Sequence, residues 1–307
     1  MNLYSIVSDK LKPVNTKPFK LEKDIQTLVE KNLRELFGLR FVRSELSIKN
    51  FRIDTLCYNE ENKSFVIIEY KKDRAFSVID QGYTYMSLML NNKSDFILEY
   101  NESCGQNLKR DDVDWSQSRV VFISSHFTEY QKHSINFKDV PFELWEIKQY
   151  ENGLVGFLQH KTSSDESIST IVPTTEENLV EKVTREVKVY TEEYHFTKNV
   201  YRDEKVIELY KVLKERIQNL GEVEPVPRKE YIGFRRRRPF VDVIFYTNHL
   251  KIVINLKKGM LDDPKKLAKD ISSQGHWGNG DYEVKITFDT DLDYIMFLIN
   301  QSYKKQG

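Results

Sequence analysis

Residues 21–38 read LEKDIQTLVEKNLRELFG, and Leu21, Ile25, Leu28, Val29, Leu33 and Leu36 recur there at the spacing of one helix face. Gly38 supplies a natural C-terminal stop. Three strand-like runs follow, FVRSELSI, FRIDTLCY and SFVIIEYK, and NEENK between the last two has hairpin composition. The pattern next predicts a helix over about residues 77–90 (SVIDQGYTYMSLML), then strands at SDFILEY, RVVFIS, FELWEI and GLVGFLQH. A helix, a strand meander, a second helix and further strands predict an α/β layer fold.

Residues 161–193 break this rhythm. They are rich in Ser, Thr and Glu and poor in large apolar side chains, which is linker composition. The reading is therefore a first domain at 1–160, a linker at 161–193 and a smaller α/β domain at 194–307. Within the second domain a helix is expected over about 203–219, then strands at YIGFRRRR, FVDVIFY and LKIVINLK, and a short helix near 264–271.

Composition narrows the classes. The chain has 307 residues, 39% hydrophobic and 31% charged, with 18 Phe and 17 Tyr, which fits a globular protein with aromatic-rich cores. No run of about 18 apolar residues and no signal-peptide pattern is present, so a soluble, cytoplasmic protein with no membrane partner is expected. Cys57 and Cys104 cannot make a disulfide framework, and no Cys or His pair has zinc-site spacing. Forty-seven basic residues balance 47 acidic ones, so a polyanion would have to be held by a local patch.

The chemistry concentrates in FVIIEYKK. Alternate strand residues share a face, so Glu69 and Lys71 point the same way as the apolar Phe65 and Ile67. Folding the hairpin about NEENK brings Asp54 opposite Glu69, or one residue from it. Two carboxylates, joined by the carbonyl of Tyr70, make a plausible open site for Mg²⁺ or Mn²⁺, and Lys71 could orient a metal-bound water. On a helical wheel Glu22 falls inside the apolar arc, which would place a further carboxylate among core residues; the other reading is a solvated acid in the first helical turn, favourable to the helix dipole. Gln81 and Tyr85 stand one helical turn apart, where an amide and a phenol could meet a substrate phosphate.

Asp54, then Glu69-x-Lys71, preceded by a helix bearing Glu22 and followed by Gln81-x-x-x-Tyr85, resembles the PD-(D/E)XK nuclease superfamily over about residues 15–100. It is most similar to the Q-x-x-x-Y branch, with its exonuclease-type and NucS-like endonuclease domains; Ile53 stands where the motif has proline. The resemblance implies a restriction-endonuclease-like mixed sheet flanked by helices, Mg²⁺ dependence and cleavage of DNA, with RNA also open. It assigns Asp54 and Glu69 to metal, Lys71 to catalysis and Glu22 to a supporting acid.

FVDVIFYTNHLKIVINLKKG can be laid over the first hairpin, with Asp242 near Asp54, Lys257 on Lys71 and Asn255 in the place of Glu69. A degenerate duplicate is one reading, and two similar hairpins by chance is the other; without the second carboxylate no catalysis is expected there. The C-terminal part resembles a domain of unknown function whose bearers are sometimes described as predicted transport proteins. Its residues read better as a contact surface: Arg235 and Arg237 share one side of a strand, and His276 and Trp277 in a Gly-rich loop could stack on a base. The expectation is a Mg²⁺-dependent DNA endonuclease whose second domain binds nucleic acid or pairs two protomers as a homodimer. The alternative is a non-catalytic module on a nuclease fold that binds nucleic acid or protein.

Overall fold

The computed structural model describes residues 3–71, 77–162, 164, 166–168, 179–199, 203–275 and 278–306. The chain divides into two compact units, Met1–Val189 and Tyr190–Gly307. In the first, a hairpin of β1 (Leu3–Val7) and β2 (Lys10–Val14) precedes β3 (Thr16–Lys17). There follow α1 (Glu22–Glu30), α2 (Leu33–Phe37), β4 (Arg40–Ile48), β5 (Phe51–Asn59), β6 (Ser64–Lys71), α3 (Val78–Asn91) and α4 (Lys93–Cys104). The unit closes with β7 (Arg119–Ser124), α5 (Glu129–Ser134), β8 (Phe142–Tyr150), β9 (Val155–His160) and α6 (Leu179–Glu186).

These strands form a seven-stranded sheet in the order β3-β8-β7-β6-β5-β4, with β9 beside β8. β6 runs antiparallel to β5 and parallel to β7, which is parallel to β8, so the sheet is mixed as expected. Alternation along β6 divides the core. Phe65 and Ile67 face a cluster with Met86, Phe96 and Val183, whereas Val66, Ile68 and Tyr70 face one with Ile25, Val29 and Leu33. Helices thus cover both faces, and Glu69, in step with Phe65 and Ile67, points toward α3.

Three expectations for this unit change. SDFILEY lies in α4, not in a strand: Phe96 and Tyr100 are buried one turn apart while Leu98 is exposed. Parallel pairing of β6 and β7 requires a crossover, and α3 with α4 supplies it. The helix expected over 21–38 breaks at Asn32, whose side-chain amide donates to the Leu28 carbonyl (2.7 Å), a local competitor for helical hydrogen bonding. Within the stretch read as linker, α6 packs on α3 and buries Val183, and Val187 behind it is buried as well.

The second unit contains α7 (Glu192–Thr197), α8 (Glu204–Gln218), β10 (Glu224–Pro227), β11 (Ile232–Arg235), β12 (Pro239–Phe245), β13 (Leu250–Ile254), β14 (Lys269–Asp270), β15 (Tyr282–Ile286) and α9 (Leu292–Gln306). Its sheet, β10-β11-β12-β13-β15-β14, is antiparallel throughout the described pairs. No helix forms over 264–271. Lys266 has φ +52°, outside the right-handed helical region, and the Asp263 side chain closes a turn by accepting from Ala268 N–H at 2.7 Å.

Candidate active site

The β5–β6 ladder runs as far as the pair of Thr55 with Ile68, so the next step sets Asp54 opposite Glu69. The two carboxyl groups face each other, and Asp54 Oδ2 accepts from the Tyr70 backbone N–H at 3.0 Å. Glu69 is only 1% exposed. Its carboxyl is pushed up from the ordinary 4.5 to about 9, first by burial and then by Asp54, against the smaller opposing pulls of Tyr85 and Lys71. Burial in apolar surroundings penalises the charged form, and an adjacent carboxylate adds like-charge repulsion. Lys71 ends β6 on the same face, half-buried and in register with Ser124 of β7.

Helix α3 closes over this pair. Ser77 caps its N-terminus by accepting from Asp80 N–H at 3.3 Å. One turn in, Gln81 Nε2 lies 3.4 Å from Glu69 Oε2 and 3.3 Å from Tyr85 Oη, and Tyr85 Oη donates to the Arg52 carbonyl at 3.2 Å. The two residues share a helix face as the spacing required. The face turns inward, with Tyr85 6% exposed, so in this arrangement the amide and phenol brace the carboxylates. Gly82 lets α3 come this close: a Cβ there would meet the Phe142 ring at 2.6 Å.

Glu22 is a correction. It is exposed in the first turn of α1 and does not sit among the core residues, because the helix meets the sheet only from Ile25 onward. Gln26, one turn further, is the polar residue that α1 buries beside the site. Its Nε2 donates to the Asp54 carbonyl at 2.9 Å and stands 2.9 Å from Glu30 Oε1 and 3.1 Å from Ser44 Oγ. Thr55 Oγ1 donates to Glu30 Oε1 at 2.7 Å and lies 3.2 Å from Tyr70 Oη. This network on the other face of the sheet holds the Asp54 backbone and the side chains of Thr55 and Tyr70. The available signal was that Gln26 follows Glu22 by one helical turn, at the edge of the apolar arc beside Leu33.

Among the described residues no three or more His, Cys, Asp and Glu converge as a metal cluster. A cation held here would rest on Asp54, Glu69 and backbone or water oxygens. That donor set fits a hard divalent ion: two facing carboxylates, one of them buried, call for a countercharge, and Mg²⁺ and Mn²⁺ prefer oxygen ligands.

The second unit does not repeat this constellation. Asn255 N–H donates to the Phe240 carbonyl at 3.1 Å, whereas Asp242 pairs with Val253, two residues along. Asp242 Oδ2 accepts from Asn279 N–H and Nδ2, at 2.9 and 3.2 Å, and exposed Lys257 lies 3.7 Å from Asp281 Oδ1. The hairpins share residue types but not register, and β13 lies beside antiparallel β15 where β6 has a parallel neighbour. Arg235 ends β11 and pairs with Glu224 Oε2 at 3.5 Å, while Arg236, Arg237 and Arg238 form the exposed connection to β12. The arginine run therefore lies on a turn and not along a strand. His276 and Trp277 fall outside the described residues.

Comparison with known proteins places the chain. It is 45% identical over 306 residues, 99% of its own length and 100% of the relative's, to a protein of Haemophilus influenzae (strain ATCC 51907 / DSM 11121 / KW20 / Rd) described as an uncharacterized protein. The chain belongs to the family of that Haemophilus influenzae protein. Within the family's shared length, residues 193–306 match the domain of unknown function DUF5655. Among solved structures, a repair endonuclease from Pyrococcus abyssi is similar over 39% of this chain and 45% of that one, with 16% identity and a TM-score of 0.23. An EndoMS–dsDNA complex is similar over 44% of this chain and 50% of that one, with 15% identity and a TM-score of 0.24. SfsA of Pyrococcus furiosus, in complex with Ca²⁺, is similar over 44% and 60%, with 16% identity and a TM-score of 0.23. The solved chains are thus matched over about half of their length. No helix among the described residues is long and apolar enough to cross a membrane.

Proposed function

We propose that the first unit hydrolyses phosphodiester bonds of DNA, with Mg²⁺ or Mn²⁺ held by Asp54, Glu69 and the Tyr70 carbonyl. The observation that carries this reading is the buried Glu69 carboxyl facing Asp54 at the end of β6, with Lys71 two residues on along the same face. A bound divalent ion supplies Lewis acidity toward a phosphoryl oxygen and lowers the pKa of a water ligand.

The residues of the chain do the rest. Asp54 and Glu69 provide the negative charge that recruits the ion, and Glu69 gives up its proton as it does so. Lys71 orients the attacking water and meets the charge that develops on the phosphate. Gln81 fixes the Glu69 carboxyl from α3, and Gln26 fixes the Asp54 backbone from α1. A purely structural ion pair at a strand end would not need two facing acids, one of them buried. In the second unit the exposed Arg236, Arg237 and Arg238 offer a contact to the phosphate backbone of the substrate.

Calorimetric titration with Mg²⁺ and with Mn²⁺ tests the site. Saturable binding of either ion, abolished in Asp54→Ala and accompanied by proton release near pH 7, is the expected result. Absence of metal binding in the wild-type chain would favour a non-catalytic binding module instead.

A further inference from the structure

A second charged cluster lies farther along the same sheet. Lys71 of β6 pairs with Ser124 of β7, and Ser124 pairs with Glu146 of β8, so the three side chains stand in a row on one face. Two strand spacings separate β6 from β8, about 10 Å. Glu146 is 6% exposed, and lysine and histidine side chains from several elements gather round it. His160 Nε2, from the end of β9, is 3.1 Å from Oε1, outside hydrogen-bond geometry. Lys132 of α5 and His126 are each 3.8 Å from Oε1, Lys148 is 4.0 Å from Oε2, and Phe127 N–H donates to Oε1 at 3.3 Å. Burial alone would raise the Glu146 carboxyl, but the Phe127 N–H, His160 and Lys132 together hold it below the usual range.

Beside this carboxylate opens a pocket of about 160 Å³, walled by α5 and by the chain leaving β9. Lys132, His133, Asn136, His160, Lys161 and Thr162 line it, and Glu129, 3.0 Å from Lys132 Nζ, is the acid on its wall. Every one of those six side chains can donate a hydrogen bond. Glu146 lies behind the lining, where it holds Lys132 and His160 in place without occupying the pocket. Donors fixed in advance around a cavity suit a compact anion with several acceptor oxygens.

We infer that this pocket binds a phosphate dianion, free or as a terminal monoester, through Lys132, His160 and Lys161. The ligand chemistry has two sources, free phosphate or the terminal phosphate of a nucleic-acid strand. The second source rests on the hydrolytic reading above, since it places a strand end at the β8 side of the sheet, two strands along from Glu69; the first does not.

The test uses the full chain in EDTA, where no cutting can occur, and reads binding by calorimetry. Inorganic phosphate is titrated first, then matched oligonucleotides ending in phosphate or hydroxyl at either end. Lys161→Ala on the exposed rim and Lys132→Ala on the wall are compared with wild type, with circular dichroism to verify folding. Saturable phosphate binding, weakened about tenfold or more by either substitution, is expected. Preference for phosphate-ended over hydroxyl-ended strands, lost in the same variants, identifies the strand end as the source; phosphate binding without that preference identifies free phosphate. No saturable binding of any of these ligands, or binding undiminished in both variants, would overturn the inference. Because the readout needs neither metal nor cleavage, failure of the Asp54–Glu69 site leaves this result readable on its own.

Discussion

Replacing Glu69 by glutamine should change the pH dependence of folding in a defined direction. In the folded chain the Glu69 carboxyl keeps its proton up to about 9, against an ordinary value of 4.5. Between those limits the native state binds a proton that the unfolded chain has released, so stability falls as pH rises. The contribution is complete below the unfolded value and lost by the folded one. One proton corresponds to about 1.4 kcal/mol per pH unit, so between pH 5.5 and 7.5 wild type loses up to about 2–3 kcal/mol from this group. The amide of the Glu69→Gln variant keeps the shape and does not titrate. Urea unfolding in EDTA, followed by the fluorescence of Trp115 and Trp145 in the first unit, should show the variant gaining that amount on wild type across the window. A difference that is flat, or that runs the other way, would refute the claim that Glu69 is held protonated beside Asp54. Adding Mg²⁺ should stabilise wild type increasingly toward high pH, because the ion replaces the proton.

Other outcomes follow from the same geometry. Gln26→Ala should cost about 1–3 kcal/mol in urea unfolding, since it removes the donor to the Asp54 carbonyl and to Glu30 from a buried position. Gly82→Ala should destabilise by about 1–2 kcal/mol despite its better helix propensity, because the new methyl meets the Phe142 ring; an unchanged midpoint would mean that α3 can lift from β8. Replacing Arg236, Arg237 and Arg238 by Ser should shift unfolding by no more than about 0.5 kcal/mol, these side chains being exposed, while flattening the salt dependence of DNA binding.

Much of the site could be read from the chain because strand alternation is strict. Once FVIIEYKK is a strand, Glu69 and Lys71 must share the Phe65–Ile67 face, and hairpin register then brings Asp54 across from Glu69. The order of elements predicted an α/β layer fold, and the mixed, helix-covered sheet was what the nuclease resemblance implied. Errors arose where local pattern competes with long-range demands. SDFILEY is too short an apolar run to separate strand from helix, and the need for a crossover between parallel strands decided it. Glu22 shares a helix row with Gln26, but which turn touches the sheet depends on where α1 crosses β5. RRRR read as strand because FR precedes it, whereas the chain turns back to form β12. The cluster round Glu146 draws on α5, β8, β9 and the loop bearing His126, parts that only the folded sheet brings together.

Cleavage is the immediate readout of a cation-dependent hydrolytic site built from Asp54, Glu69 and Lys71. End-labelled single-stranded, duplex and branched DNA, and RNA, are incubated with the full chain in Mg²⁺, Mn²⁺ or EDTA, beside Asp54→Ala and Lys71→Ala. Cutting of at least one DNA form with either ion, none in EDTA, and loss in both variants to below about one-hundredth of wild type is the expected result. Cutting that persists in Asp54→Ala, or no cutting of any substrate by wild-type protein that binds neither ion, would contradict it.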